Sequence, residues 1–125
     1  MNPTSSNEIV VSKNTAEHYT WGDNCDGWHL VRAAELSVIQ ERVPPGGHET
    51  RHRHERSRQF FFVLAGEAVL EVAGQRHLLP AHTGLEVEPG AAHQFRNESD
   101  QDVVFLVISQ PPSQADRQPA EPGRA

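Results

Sequence analysis

Two histidines separated by a single residue, His52-Arg53-His54, sit in a frame of turn-formers and polar residues that narrows how this chain can fold. The frame reads Gly46, His52, His54, Gln59, Gly66, and a later segment, Pro89-Gly90-Ala91-Ala92-His93, ends at Asn97. Side chains on an extended strand alternate between faces, so His52 and His54 point the same way and can grip one ion, while Arg53 points away. A third imidazole from His93 and the amide oxygen of Gln59 complete a four-donor shell for one divalent transition metal. Iron, manganese, cobalt, nickel, copper and zinc all accept such donors, and an octahedral ion keeps open positions for a small molecule. The alternative is a three-histidine centre in which Gln59 only hydrogen-bonds to water.

The same residues resemble the two motifs of the cupin superfamily. Its first motif reads Gly, five residues, His-x-His, three or four residues, Glu, six residues, Gly. Gly46, His52, His54, Gln59 and Gly66 keep every spacing, with Gln59 in place of the usual Glu. In the second motif Pro89-Gly90, His93 and Asn97 are in register, whereas Glu88 stands where a further Pro is common and His82 where a Gly is common. The resemblance implies an all-β double-stranded β-helix, a jelly-roll barrel. It also implies a homodimer, because many cupins pair through their N-terminal strands.

Punctuation along the chain agrees with an all-β reading. Residues 1–7 are polar and read as a loose N-terminus, residues 8–109 as a single domain, and residues 110–125 as a Pro-rich disordered tail unable to bury apolar surface. Short β-rich segments are expected at Ile9–Ser12, His18–Trp21, Trp28–Arg32, Leu36–Val43, Gln59–Ala65, Ala68–Val72, His77–Leu79, Leu85–Glu88, Ala92–Arg96 and Val103–Ile108. No helical period interrupts them. The run Phe60-Phe61-Phe62-Val63-Leu64 is apolar on both faces, which predicts a strand covered by the barrel interior on one side and by a second sheet or partner subunit on the other.

With 125 residues the chain is long enough for one domain. A net charge of −6 argues against a nucleic-acid partner, which calls for a basic face. Cys25 is the one cysteine, so no intramolecular disulfide forms and a reducing compartment is expected. The polar start and the absence of any run near the ~20 apolar residues of a membrane span point to a soluble cytoplasmic protein with no membrane partner.

Three neutral imidazoles and a neutral amide leave the charge of a dication uncompensated, which suits an anionic chelating ligand. An amide is no general base, so a reaction that needs proton abstraction must recruit another group. Strand parity places Phe61 with Gln59, and Phe95 with His93, as an apolar wall beside the metal. On Leu36–Val43 either Gln40 with Arg42, or Glu41, faces inward, and Arg42 would suit a carboxylate because its fork binds one bidentately. The arginines at 51, 53, 56 and 58 alternate with acids and histidines and read as a solvated turn. His18, His29, His77 and His82 read as structural or exposed, and Trp21 and Trp28 as packing aromatics. The expected function is a metal-dependent enzyme acting on a small polar or acidic molecule, as an oxygenase or as an isomerase, epimerase or decarboxylase. The alternative is a cupin that binds a sugar or organic acid without turnover.

Overall fold

A computed structural model describes residues 10–114 and 116–120. Among them are eleven strands: β1 (Glu17–Trp21), β2 (Cys25–Arg32), β3 (Ser37–Val43), β4 (His52–His54), β5 (Arg58–Ala65), β6 (Glu67–Val72), β7 (Gln75–Pro80), β8 (Gly84–Val87), β9 (His93–Arg96), β10 (Val103–Gln110) and β11 (Arg117–Pro119). They form two antiparallel sheets, ordered β1-β2-β3-β10-β5-β8 and β11-β4-β9-β6-β7. The fold is the all-β jelly-roll sandwich expected. No helix among the described residues is long and apolar enough to cross a membrane.

Period-two alternation builds the core. On β10 the residues Val103, Phe105, Val107 and Ser109 are buried and their neighbours are not, and β5 repeats the pattern with Gln59, Phe61 and Val63. Phe95 stacks on Phe105 at 3.9 Å between ring centroids, with Phe61 about equally far from both at 6.0 and 6.2 Å. Truncating either fully buried ring would cost about 3–5 kcal/mol. Asn97, at the end of the second motif, is buried and ties loops together: its Nδ2 donates to the carbonyls of Val43 (2.9 Å) and Gln101 (2.7 Å).

The motif glycines have backbone reasons. Gly66 lies at φ +84°, and a Cβ there would come within 2.4 Å of the Asp102 carbonyl oxygen. His82, which stands where the family commonly has Gly, adopts φ +67° and donates its N–H to Val63 O at 2.7 Å.

The C-terminal segment corrects the expectation of a disordered tail beginning at residue 110. Gln110 closes β10, and β11 pairs with β4 in the register Arg117↔His54, Gln118↔Arg53, Pro119↔His52. Asp116 explains why a Pro-rich segment is held: its carboxylate accepts the backbone N–H groups of Glu55 (2.8 Å), Arg56 (3.0 Å) and Ser57 (2.8 Å). Ser57 Oγ in turn donates to Pro111 O at 2.6 Å. Contacts with the rest of the chain continue to Ala120, whose N–H donates to Arg51 O at 3.1 Å. The loose N-terminus expected at 1–7 lies outside the described residues, and of Ile9–Ser12 the described part, residues 10–12, is not in a strand.

Of the two covers expected for the Phe60–Leu64 run, the barrel interior supplies one. Phe61 and Val63 are buried, whereas Phe60, on the outer face of the six-stranded sheet, is 38% exposed among the described residues.

Candidate metal centre

His52 and His54 lie on β4 and His93 on the adjacent β9, where His52 and His93 are directly opposed partners. All three rings are buried, and one nitrogen from each lies within 4.8 Å of the others. Second contacts set the tautomers. His52 Nδ1–H donates to Thr50 O at 2.7 Å and His93 Nδ1–H to Ala91 O at 3.1 Å, which leaves the Nε2 lone pair of each free. Burial keeps the rings neutral: His52 is pushed down to about 3 and His93 to about 4, and burial also lowers His54. Neutral imidazoles with free lone pairs are the form a metal takes.

Gln59 comes from β5 in the opposite sheet. Its Nε2 donates to Ser109 Oγ at 3.0 Å, which leaves the amide oxygen buried without a partner. His54 Nδ1 and His93 Nε2 are likewise buried and unpartnered. Buried polar atoms are almost always satisfied, so three orphaned acceptors in one place fit a bound cation. The donor set of three imidazoles and an amide suits a first-row transition ion and does not select among them.

His52, His54 and Gln59 line a cavity of about 300 Å³, and His93, fully buried, lies behind them. Phe61 is in its wall, as expected, and meets the edge of the His93 ring at 5.7 Å. Three other expectations are corrected. Phe95 lies in the core beneath, stacked on Phe105, and not in the cavity lining. Gln40 and Arg42 stay outside, because β3 buries Ser37, Ile39 and Val43 and so turns Glu41 inward with them. Arg42 is engaged on the other face, with its Nε on Asp26 at 2.7 Å and Nη1 3.4 Å from Asp102.

Glu41 brings a carboxyl to the cavity that the motif itself lacks. Tyr19 Oη donates to Glu41 Oε2 at 3.1 Å, and Gly27 makes this possible, since a Cβ there would lie 2.2 Å from Tyr19 Cζ. Burial pushes Glu41 up to about 7, and burial with the charge of Glu41 pushes Glu49 up to about 8. Glu49 Oε2 accepts the Phe95 N–H at 2.9 Å, and its Oε1 lies 3.9 Å from His52 Nδ1. Tyr19, Trp21, His29, Glu49 and Arg117 also face the cavity, none of them singled out from the sequence as a site residue. Period two on β3 carried a signal for Glu41, whereas Arg117 needed the pairing of β11 with β4, for which no local pattern exists.

Of the arginines read as a solvated turn, Arg51 is instead 12% exposed and grips Glu71 with two bonds, at 2.7 and 2.9 Å, while Arg58 pairs with Glu86 at the surface.

Comparison with known proteins adds the following. Residues 39–109 match the family model described as "Cupin domain". An oxalate-binding protein from Thermotoga maritima is 27% identical over 67 residues, which cover 54% of this chain and 55% of that one, so the match spans about half of the curated relative. Among solved structures, a predicted oxalate decarboxylase from Thermotoga maritima superposes with a TM-score of 0.76 at 19% identity, covering 82% of this chain and 99% of that one. A sugar phosphate isomerase from Silicibacter pomeroyi superposes with a TM-score of 0.74 at 18% identity, covering 90% and 92%. At these identities the structural likeness concerns the fold.

Proposed function

The chain belongs to the cupin family, and on that premise we propose that it is a metal-dependent enzyme acting on a small polar or acidic molecule bound in the cavity above His52, His54 and His93. One observation carries the reading: three buried, neutral imidazoles converge on one another, two of them lining a cavity that also holds a carboxyl on a hydrogen-bonded phenol. His52, His54, His93 and the amide oxygen of Gln59 would hold the ion, which supplies Lewis acidity and open positions for substrate.

The chain's own residues do the rest. Glu41 sits near 7, where a carboxyl both accepts and returns a proton at working pH, and it fills the general-base role that the amide of Gln59 cannot. Tyr19 Oη fixes the orientation of Glu41 Oε2. Phe61 and Trp21 give the substrate an apolar wall and exclude water. Oxygenation is the reaction if the ion is iron, and isomerisation, epimerisation or decarboxylation if it is redox-silent.

The oxalate-binding relative favours a second reading, in which the cavity holds an organic acid without turnover. One experiment separates the two. Protein expressed in defined medium is analysed for metal, then incubated with hydroxy, keto and sugar acids while oxygen uptake and product are followed. Turnover supports the enzyme; ligand-induced thermal stabilisation without product supports the binder. A His52→Ala/His54→Ala protein that keeps its β-sheet circular dichroism and still binds a full equivalent of metal overturns both.

We further propose a homodimer in a reducing, cytoplasmic setting, with a second copy covering the outer face of the six-stranded sheet. Val38, Ile108 and Phe60 line up there across β3, β10 and β5, and Leu106 with Phe62 forms the next row. A row of this kind is self-complementary about a two-fold axis.

A further inference from the structure

We propose that Arg117, carried to the cavity by the C-terminal strand, is the anion anchor of this site, and that the ligand is therefore a small carboxylic acid with a second donor atom for the metal. The inference rests on the metal-centre reading above and adds to it the class of ligand and the residue that selects it.

Position is the first argument. Arg117 is directly opposite His54 in the antiparallel β11–β4 pair. Directly opposed residues share a face, with Cβ atoms about 4.5–5.5 Å apart. The face that presents the imidazoles therefore presents Arg117 as well, and Arg117 lines the cavity. Its positive charge is felt by all three histidines and by both cavity carboxyls.

Availability is the second. Arg32 also lines the cavity, but its guanidinium is committed to Glu17 at 2.6 Å. Arg117 has no carboxylate within ion-pair distance among the described residues, and its Nη2 donates to Thr50 O at 3.3 Å. A guanidinium fork with free donors facing a cationic centre matches an acid that offers one carboxylate to the arginine and another oxygen to the ion.

Delivery is the third. The strand lies beyond residues 39–109, the part that matches the family model. Asp116, next in sequence, holds three N–H groups of the turn between His54 and Gln59. The latch ties the arginine to the same turn that spaces two of the metal donors.

The test uses full-length protein loaded with nickel(II) and titrated calorimetrically with oxalate, pyruvate and lactate, and with uncharged lactamide. The expected result is that Arg117→Gln weakens the acids at least tenfold, that Arg117→Lys weakens them less, and that nickel stoichiometry and circular dichroism stay at wild-type values. Lactamide binds more weakly than lactate to the wild type and equally to both variants. Wild-type affinity of the acids for Arg117→Gln, or lactamide binding the wild type as tightly as lactate, overturns the anchor and leaves the metal centre standing. Wild-type protein that holds nickel but binds none of the acids overturns the anchor and the ligand class, and protein that holds no nickel overturns the metal reading itself.

Discussion

Gln59 and Ser109 face each other across β5 and β10, and because the amide nitrogen of Gln59 is spent on Ser109 Oγ at 3.0 Å, its oxygen is the atom left to face the cavity. Replacing that amide by the family's usual carboxylate adds a buried charge that only a cation can offset. Gln59→Glu is expected to lower the Tm of chelator-treated protein and to raise that of metal-loaded protein. Metal affinity should increase on the order of tenfold, about 1.4 kcal/mol. Differential scanning fluorimetry with and without EDTA, with a competitive chelator titration, reads all three.

Metal-free protein should be most stable in mildly acidic solution. His52 and His93 fall from 6.5 to about 3 and about 4 on folding, so the unfolded chain binds more protons below 6.5 and stability is lost as pH drops from there toward the folded values. Glu41 and Glu49 rise from 4.5 to about 7 and about 8, so the stability of their neutral folded form is present below 4.5 and is lost as pH climbs through 7 to 8. The two trends oppose each other between about 4.5 and 6.5, and Tm should peak in that window. Glu41→Gln with Glu49→Gln should flatten the alkaline limb only; an unchanged limb would show that these carboxyls are ionised in the folded protein.

Proton transfer should depend on Glu41, and its pH profile on Tyr19. Glu41→Gln is expected to reduce kcat by roughly 10²–10⁴ for a substrate that needs proton abstraction. The hydrogen bond from Tyr19 lowers the Glu41 value against the larger effect of burial, so Tyr19→Phe should move the apparent pKa of kcat/KM upward. Gly27→Ala, whose Cβ would lie 2.2 Å from Tyr19 Cζ, should reproduce that shift.

The Asp116 latch should be visible by hydrogen exchange. Asp116→Ala removes the acceptor of three N–H groups, and exchange at residues 55–57 and at Arg117 and Gln118 is expected to speed up together. Metal affinity should fall several-fold, because the turn between His54 and Gln59 loses its brace. Acceleration confined to Arg117 and Gln118 would show that the turn holds itself.

Ile108 sits between Val38 and Phe60 in the outer row of the six-stranded sheet. Ile108→Glu should convert a dimer to a monomer in sedimentation velocity at micromolar concentration, with metal content unchanged. A wild-type chain that sediments as a monomer there refutes the dimer.

The sequence alone determined the alternation that makes this chain an all-β barrel, because period two is written residue by residue along each strand. It also determined that His52 and His54 share a face, since a strand fixes which of its side chains point the same way, whereas His93 joined them through the pairing of β4 with β9. Local pattern went no further than each strand's own two faces. Which face of β3 turned inward was decided by packing, which buried Ser37, Ile39 and Val43 and so brought Glu41, and not Gln40 or Arg42, to the cavity. Phe95, of the same parity as His93, went to the core because Phe105 lies against it at 3.9 Å. Arg117 was the least legible: its segment reads as polar tail, and only long-range pairing with β4 and the Asp116 latch, contacts more than fifty residues apart in sequence, set it beside the histidines.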